Sequence, residues 1–108
     1  AGRSTEKLST GGVVSKQWFL RVYDNSHYQD EDAAYQRGPY PSASHAIRAA
    51  RDLVDESLRR ELPHAQSVEQ LLTRYRAYGE DPMVIGPGDF EFSAWSYAEQ
   101  RAPQIFKR

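Results

Sequence analysis

Residues 42–62 constrain the fold more than any other part of the chain, because they form a long segment between two prolines, Pro41 and Pro63. Small and apolar residues recur in it every three or four positions, namely at Ala43, Ala46, Ile47, Ala50, Leu53, Val54, Ser57 and Leu58. This spacing predicts an α-helix with one largely apolar stripe. Ser42 can cap its start, although His45 stands where a capping box would have an acid, and Pro63 ends it. The remaining chain must then supply a surface that buries the stripe.

The strongest strand prediction falls on residues 17–23, ahead of this helix. Its side chains alternate between two sets, both largely apolar, which are Trp18, Leu20 and Val22 on one side and Phe19, Arg21 and Tyr23 on the other. Such a strand, apolar on both faces, is typical of the centre of a sheet. Residues 33–37 predict a shorter partner strand that ends at Gly38-Pro39, with the intervening segment as a hairpin loop.

The second half of the chain predicts two more helices and one more strand. A helix begins at Ser67, within a capping-box sequence, and ends at Gly79, a common helix terminator that often adopts a left-handed backbone. Residues 80–82 predict a turn, residues 83–85 a strand, and residues 93–101 a helix capped by Ser93 or Ser96, with Pro103 just past its end. The order β-β-α-α-β-α predicts an α+β fold, a small antiparallel sheet packed by about three helices.

Length and composition limit the class of protein. The 108 residues predict one domain, with residues 1–15 as a disordered tail and residues 16–108 as a single α+β domain. The absence of cysteine excludes disulfides and cysteine zinc sites. Fourteen basic residues against 15 acidic ones lack the basic excess that nucleic-acid binding requires, and no run approaches the roughly 20 apolar residues of a membrane span. No phosphate loop or dinucleotide motif is present, so we expect no cofactor.

The polar segment YDNSHYQDED, residues 23–32, holds the first candidate site, which consists of Asp24, Asn25, His27, Tyr28, Asp30 and Glu31. An EF-hand calcium loop needs glycine at its sixth position, which neither possible register provides, and the three histidines are too dispersed for zinc, so we expect no metal. The structural interpretation is a turn in which aspartate and asparagine side chains bond the backbone. The catalytic interpretation pairs His27 with a nearby carboxylate for acid–base chemistry.

A second candidate is an interaction surface that consists of Tyr75, Arg76, Tyr78 and Arg101. Tyrosine, tryptophan and arginine concentrate in protein interfaces, although aromatic residues also fill small cores, and we expect Trp95 to share one core with Leu53. The leading functional hypothesis is a non-enzymatic protein-binding module with an unknown protein partner. The alternative is a small enzyme or ligand-binding protein that uses His27 and neighbouring carboxylates.

Three phrases occur together in this chain, and they are DNxHYxDE at residues 24–31, YGEDPMVI at residues 78–85 and FSAWSYAEQR at residues 92–101. Together they resemble a family of small uncharacterised bacterial proteins with no established activity. In that family the first phrase precedes a glycine turn and a long amphipathic helix, and the other two follow. The resemblance covers about residues 18–102 and implies a bacterial, cytoplasmic protein without adding any chemistry.

Overall fold

A computed structural model describes residues 16–27 and 34–107 of the chain. Its elements, in chain order, are β1 (Trp18–Asp24), β2 (Tyr35–Tyr40), α1 (Ala43–Glu61), α2 (Val68–Tyr78), β3 (Glu80–Ile85) and α3 (Ala94–Phe106). The fold is therefore α+β with the predicted order of strands and helices. The tail predicted at residues 1–15 lies outside the described residues.

The sheet is antiparallel and has the strand order β2-β1-β3, which confirms the central position predicted for the first strand. Leu20 and Val22 are fully buried in it, whereas Phe19 and Arg21, which point to the other face, stay half-buried. The alternating pattern of β1 therefore places one face of the sheet against the helices.

The second strand does not end at Gly38-Pro39 as predicted but continues to Tyr40. Trp18 pairs with Tyr40 and Leu20 with Arg37, so two steps along β1 match three along β2, and a bulge absorbs the extra residue. Gly38 has a φ of 122°, and a Cβ there would lie 3.1 Å from the Trp18 carbonyl oxygen. Pro39 is tolerated because β2 is an edge strand, which leaves one side of its backbone without a strand partner.

Two further predicted boundaries are wrong for reasons that also involve proline. The predicted turn at residues 80–82 is the beginning of β3, where Pro82 pairs with Val22 on an edge strand that tolerates a missing donor. The third helix passes through Pro103 and ends at Phe106. Pro103 lies in the last turn, where the Lys107 amide still donates to the Pro103 carbonyl oxygen at 3.2 Å, so the loss of one helical hydrogen bond does not end the helix.

The predicted helix caps form, with altered partners. Ser42 Oγ accepts from the His45 amide at 3.1 Å, and the His45 ring contacts the same hydroxyl through Nδ1 at 2.7 Å. At the start of α2, Ser67 Oγ accepts from the Gln70 amide at 3.1 Å, and Gln70 Oε1 accepts from the Gln66 amide at 2.7 Å. In the capping box of α2, the Gln70 side chain therefore binds the amide of the residue before the serine and not that of the serine itself. Ser93, not Ser96, caps α3.

The core has two clusters because the buried stripe of α1 is wide enough to face two layers. One cluster joins α1 to the sheet, and its buried members are Leu20, Val22, Ala46, Ala50 and Leu53. The other joins α1 to α2 and α3, and its buried members are Val54, Leu58, Leu71, Tyr75, Ala94, Ala98, Ala102 and Ile105. Leu53 is buried as predicted, but Trp95 is half-buried and packs against the helical cluster. The expectation that they share one core is therefore wrong.

None of the helices within the described ranges combines the length and the apolar character that crossing a bilayer demands.

Candidate functional site

A cleft of about 220 Å³ lies where β1 ends, α2 ends, β3 begins and α3 begins, and its lining residues are Asn25, Tyr75, Arg76, Asp81 and Trp95. Four separate segments of the chain therefore contribute to it. Asn25 belongs to the polar segment, and Tyr75 and Arg76 belong to the predicted interaction surface. The structure thus brings parts of both predicted sites to one place.

The turn after β1 fixes Asn25. Asp24 Oδ1 accepts hydrogen bonds from the amide of Ser26 at 3.0 Å and from its hydroxyl at 2.7 Å, which is the aspartate turn that the sequence predicts. The Asn25 amide donates to the Gly79 carbonyl oxygen at 2.9 Å, and Asn25 Nδ2 donates to the Tyr75 carbonyl oxygen at 3.3 Å. Asn25 therefore binds the end of α2 through both its backbone and its side chain.

Gly79 lets α2 end against the ring of Tyr75. Its φ of −82° is not left-handed, in contrast to the usual reason for glycine at a helix end. A Cβ at this position would lie 2.4 Å from Tyr75 Cδ1, so the requirement for glycine is the close approach of the ring.

Tyr75 forms the buried wall of the cleft and does not belong to an exposed surface, which corrects the prediction. Only 2% of it is exposed, because it is on the inner face of α2, and its hydroxyl donates to the Glu80 carbonyl oxygen at 2.7 Å. Burial raises the pKa of Tyr75, and the negative charges of Asp81 and Glu80 raise it further. Tyr75 therefore stays a neutral hydrogen-bond donor.

Trp95 and Arg76 form the exposed side of the cleft. The Trp95 ring stacks on Tyr75 with 6.4 Å between ring centroids and 19° between planes. The guanidinium carbon of Arg76 lies 4.9 Å from the centroid of the Trp95 ring, within the range of a cation–π interaction. The arrangement gives an aromatic pair whose outer face is covered by a solvent-exposed cation.

Asp81 is half-buried beside these rings, and burial raises the pKa of its carboxyl group. Within the part of the chain that the structure describes, no hydrogen bond or ion pair engages this carboxylate. A carboxylate removed from water without a partner is costly, and such groups are candidates for function.

The other predicted residues do not line this cleft. Tyr28, Asp30 and Glu31 lie outside the described residues, and His27 is described only through its backbone, in the 3₁₀ turn Asn25–His27. Tyr78 is 49% exposed, and the guanidinium of Arg74 lies 4.6 Å from its ring centroid. Arg101 donates to Asp55 Oδ1 at 3.1 Å and to Gln104 Oε1 at 2.7 Å, so it is held within the helical layer.

Sequence reasoning missed two cleft residues, Asp81 and Trp95. Asp81 was predicted to lie in a turn because Pro82 follows it, and Trp95 was predicted to lie in the core. Each belongs to one of the three phrases, Asp81 to GEDP and Trp95 to FSAW, while Asn25 belongs to the first phrase. Membership in these phrases is the feature of the sequence that the three residues share, and their convergence on one cleft is visible only in the structure.

Residues 16–27 and 34–107 contain no group of three or more histidine, aspartate or glutamate side chains placed to hold a metal ion. Comparison of the chain with known protein families, with curated proteins and with solved structures finds no match. The functional interpretation therefore depends on the chemistry of the cleft itself.

Proposed function

We propose that this chain is a non-enzymatic protein-binding module and that it engages its partner at the cleft formed by Asn25, Tyr75, Arg76, Asp81 and Trp95. The observation that carries the proposal is the stack in which Arg76 covers Trp95 and Trp95 lies on Tyr75. Tryptophan, tyrosine and arginine are the residues that dominate binding hot spots.

The size of the cleft supports a protein partner over a small-molecule substrate. Its volume of about 220 Å³ is below the roughly 300–1,000 Å³ of typical small-molecule pockets. A single side chain of a partner suits a space of this size, with the surrounding surface covered by the rest of the partner. Enzymes, in contrast, need a pocket that encloses the reacting groups.

The walls of the cleft are already in place before a partner arrives. Tyr75 is fixed by its hydrogen bond to Glu80, and Asn25 by its bonds to Gly79 and to Tyr75. Binding then requires little ordering of these side chains, which favours affinity. The resemblance supports a further proposal, that the chain belongs to a family of small bacterial cytoplasmic proteins.

The catalytic alternative has weaker support. Asp24, the carboxylate closest before His27 in the sequence, accepts two hydrogen bonds from Ser26 and serves the turn. Within the described residues, the cleft contains no histidine and no serine or threonine that could act as a nucleophile.

Affinity capture with matched variants tests the proposal. The immobilised wild-type chain is compared with Arg76→Glu and with Arg48→Glu, a control that reverses an exposed charge on α1. Captured proteins are identified by mass spectrometry from a lysate of the native host. A true partner is retained by the wild type and by the Arg48 variant and is lost with Arg76→Glu.

Purified candidates then provide the affinity. Loss of a hot-spot arginine costs about 2 kcal/mol or more, so we expect Arg76→Ala to weaken binding at least about thirtyfold, as measured by calorimetry. If every captured protein binds Arg76→Glu as well as it binds the wild type, the cleft is not the binding surface and the proposal is wrong.

A further inference from the structure

The half-buried carboxylate of Asp81 indicates what the cleft receives. Its neighbours in the cleft include two aromatic rings, Tyr75 and Trp95, which cannot solvate a negative charge as water does. The Tyr75 hydroxyl, a potential donor in the cleft, already donates to the Glu80 carbonyl oxygen at 2.7 Å. The carboxylate therefore keeps its full capacity to accept hydrogen bonds from a bound group.

Asn25 adds a second acceptor of known orientation. Its Nδ2 atom donates to the Tyr75 carbonyl oxygen at 3.3 Å, and this bond fixes which end of the amide carries the oxygen. No described residue donates to Oδ1, which is left available to a ligand. The Asp81 carboxylate and Asn25 Oδ1 thus both offer acceptor oxygens to a ligand.

The aromatic rings that line the cleft also favour a positively charged ligand. The faces of tryptophan and tyrosine rings carry negative potential and attract cations. The position of Arg76, 4.9 Å from the centroid of Trp95, demonstrates this preference within the molecule itself.

Arg76 does not neutralise Asp81. Its guanidinium lies over Trp95 and forms no ion pair with the carboxylate within 4 Å. The Arg76 side chain is exposed, so its charge is screened by water and salt, whereas the half-buried carboxylate is screened much less. A group that enters the cleft beside Asp81 therefore meets a net negative site.

We propose that the partner inserts a cationic side chain, a lysine or an arginine, into the cleft and that its charged end binds the Asp81 carboxylate and Asn25 Oδ1. This inference rests on the proposed function and specifies the chemistry of the partner.

Capped single amino acids test the inference without knowledge of the partner. The probes are the N-acetyl N-methylamides of lysine, of arginine and of norleucine, the last being an uncharged analogue of lysine. Each is titrated into the ¹⁵N-labelled chain while NMR follows the Asn25 side-chain amide and the indole N–H groups. Trp18, whose indole donates to the Pro87 carbonyl oxygen at 2.9 Å outside the cleft, serves as the internal reference.

We expect the two cationic probes to shift the Trp95 and Asn25 signals in a saturable way, with the Trp18 signal unchanged. Asp81→Asn, which keeps the shape of the side chain, should weaken this binding about tenfold or more, because a charged hydrogen bond is lost. Arg48→Ala, which removes an exposed positive charge on α1 outside the cleft, should leave this binding unchanged.

Three results overturn the inference, namely no saturable shift with either cationic probe, an equal response to norleucine, or equal binding by Asp81→Asn. These failures are distinct from failure of the proposed function. If capture of a partner depends on Arg76 but its affinity is unaffected by Asp81→Asn, the cleft binds protein without recognising a cationic side chain. If the cationic probes bind but the Arg76→Glu variant captures the same proteins as the wild type, the cleft is a cation site and does not have the proposed role in partner binding.

Discussion

The side-chain hydroxyl of Tyr75 donates a hydrogen bond of 2.7 Å to the backbone carbonyl oxygen of Glu80, and this bond joins the end of α2 to the first residue of β3. Tyr75 is 2% exposed, so its hydroxyl has little access to water as an alternative partner. The same residue whose ring forms a wall of the cleft therefore also fixes the start of the strand that carries Asp81.

Removal of that hydroxyl should destabilise the fold. We expect Tyr75→Phe to lower the free energy of unfolding by about 1–3 kcal/mol, because the Glu80 carbonyl oxygen loses its hydrogen-bond donor. Urea denaturation measures the change. Tyr78→Phe is the matched control on the same helix, and since Tyr78 is 49% exposed, its effect should stay within about 0.5 kcal/mol. Equal midpoints for the two variants would show that the Tyr75 hydrogen bond adds nothing to stability.

Ser57 supports the same residue from α1. It is fully buried, and its Oγ accepts from the Glu80 amide at 3.0 Å. We expect Ser57→Ala to cost about 1–3 kcal/mol, because the amide is left without an acceptor. Ser44→Ala, an exposed change in the same helix, shares the gain in helix propensity and should be neutral or slightly stabilising. A Ser57→Ala variant as stable as Ser44→Ala would contradict the role assigned to this hydrogen bond.

Leu53 tests the cluster between α1 and the sheet. It is 5% exposed and belongs to the cluster with Leu20 and Val22. We expect Leu53→Ala to lower the free energy of unfolding by about 2–5 kcal/mol through lost burial and a residual cavity. Met83→Ala is the control, because Met83 is 51% exposed and its truncation should cost less than about 1 kcal/mol. Comparable costs for the two variants would mean that α1 presents a different face to the sheet.

The helices were predictable because their signals are local. The apolar spacing of α1, the serine caps and the flanking prolines all act within a few residues of each other. The ends of the strands were not predictable, because Gly38-Pro39 and Pro82 are ordinary turn signals that an edge strand also tolerates. Whether a strand lies at an edge depends on the whole sheet, and short-range sequence patterns do not contain that information.

The cleft was predictable only in part for a similar reason. Asn25 and Arg76 could be named as candidates because of their residue types and neighbours in the sequence. Asp81 could not be named as a candidate. Its distinctive property is a half-buried carboxylate that no described residue engages, and this property arises from how α2, β3 and α3 pack together. Trp95 was assigned to the core because tryptophan is mostly buried, and the structure leaves it half-buried at the mouth of the cleft.

The pH dependence of stability provides a test of Asp81 that needs no partner. Burial raises the pKa of its carboxyl group above the ordinary value of 3.8, so the folded chain holds this proton more tightly than the unfolded chain does. The contribution of Asp81 is then most favourable below pH 3.8, and it is lost as the pH rises through the folded pKa. Above that pKa the wild type carries the full cost of an ionised, half-buried group. We therefore expect Asp81→Asn to be more stable than the wild type at neutral pH, with a gain that shrinks on acidification.

Urea denaturation of both chains at a series of pH values measures this difference, and subtraction removes the titration of every other group. Asp89→Asn is the control, because it removes one negative charge from an exposed position in the loop before α3. The comparison separates the effect of the half-buried position of Asp81 from that of a lost surface charge. An Asp81→Asn variant that is less stable than the wild type at neutral pH, with a deficit that shrinks on acidification, would mean that the folded chain favours the ionised carboxylate. Asp81 would then have an internal partner, and the cleft would lack the open acceptor on which recognition of a cationic side chain depends.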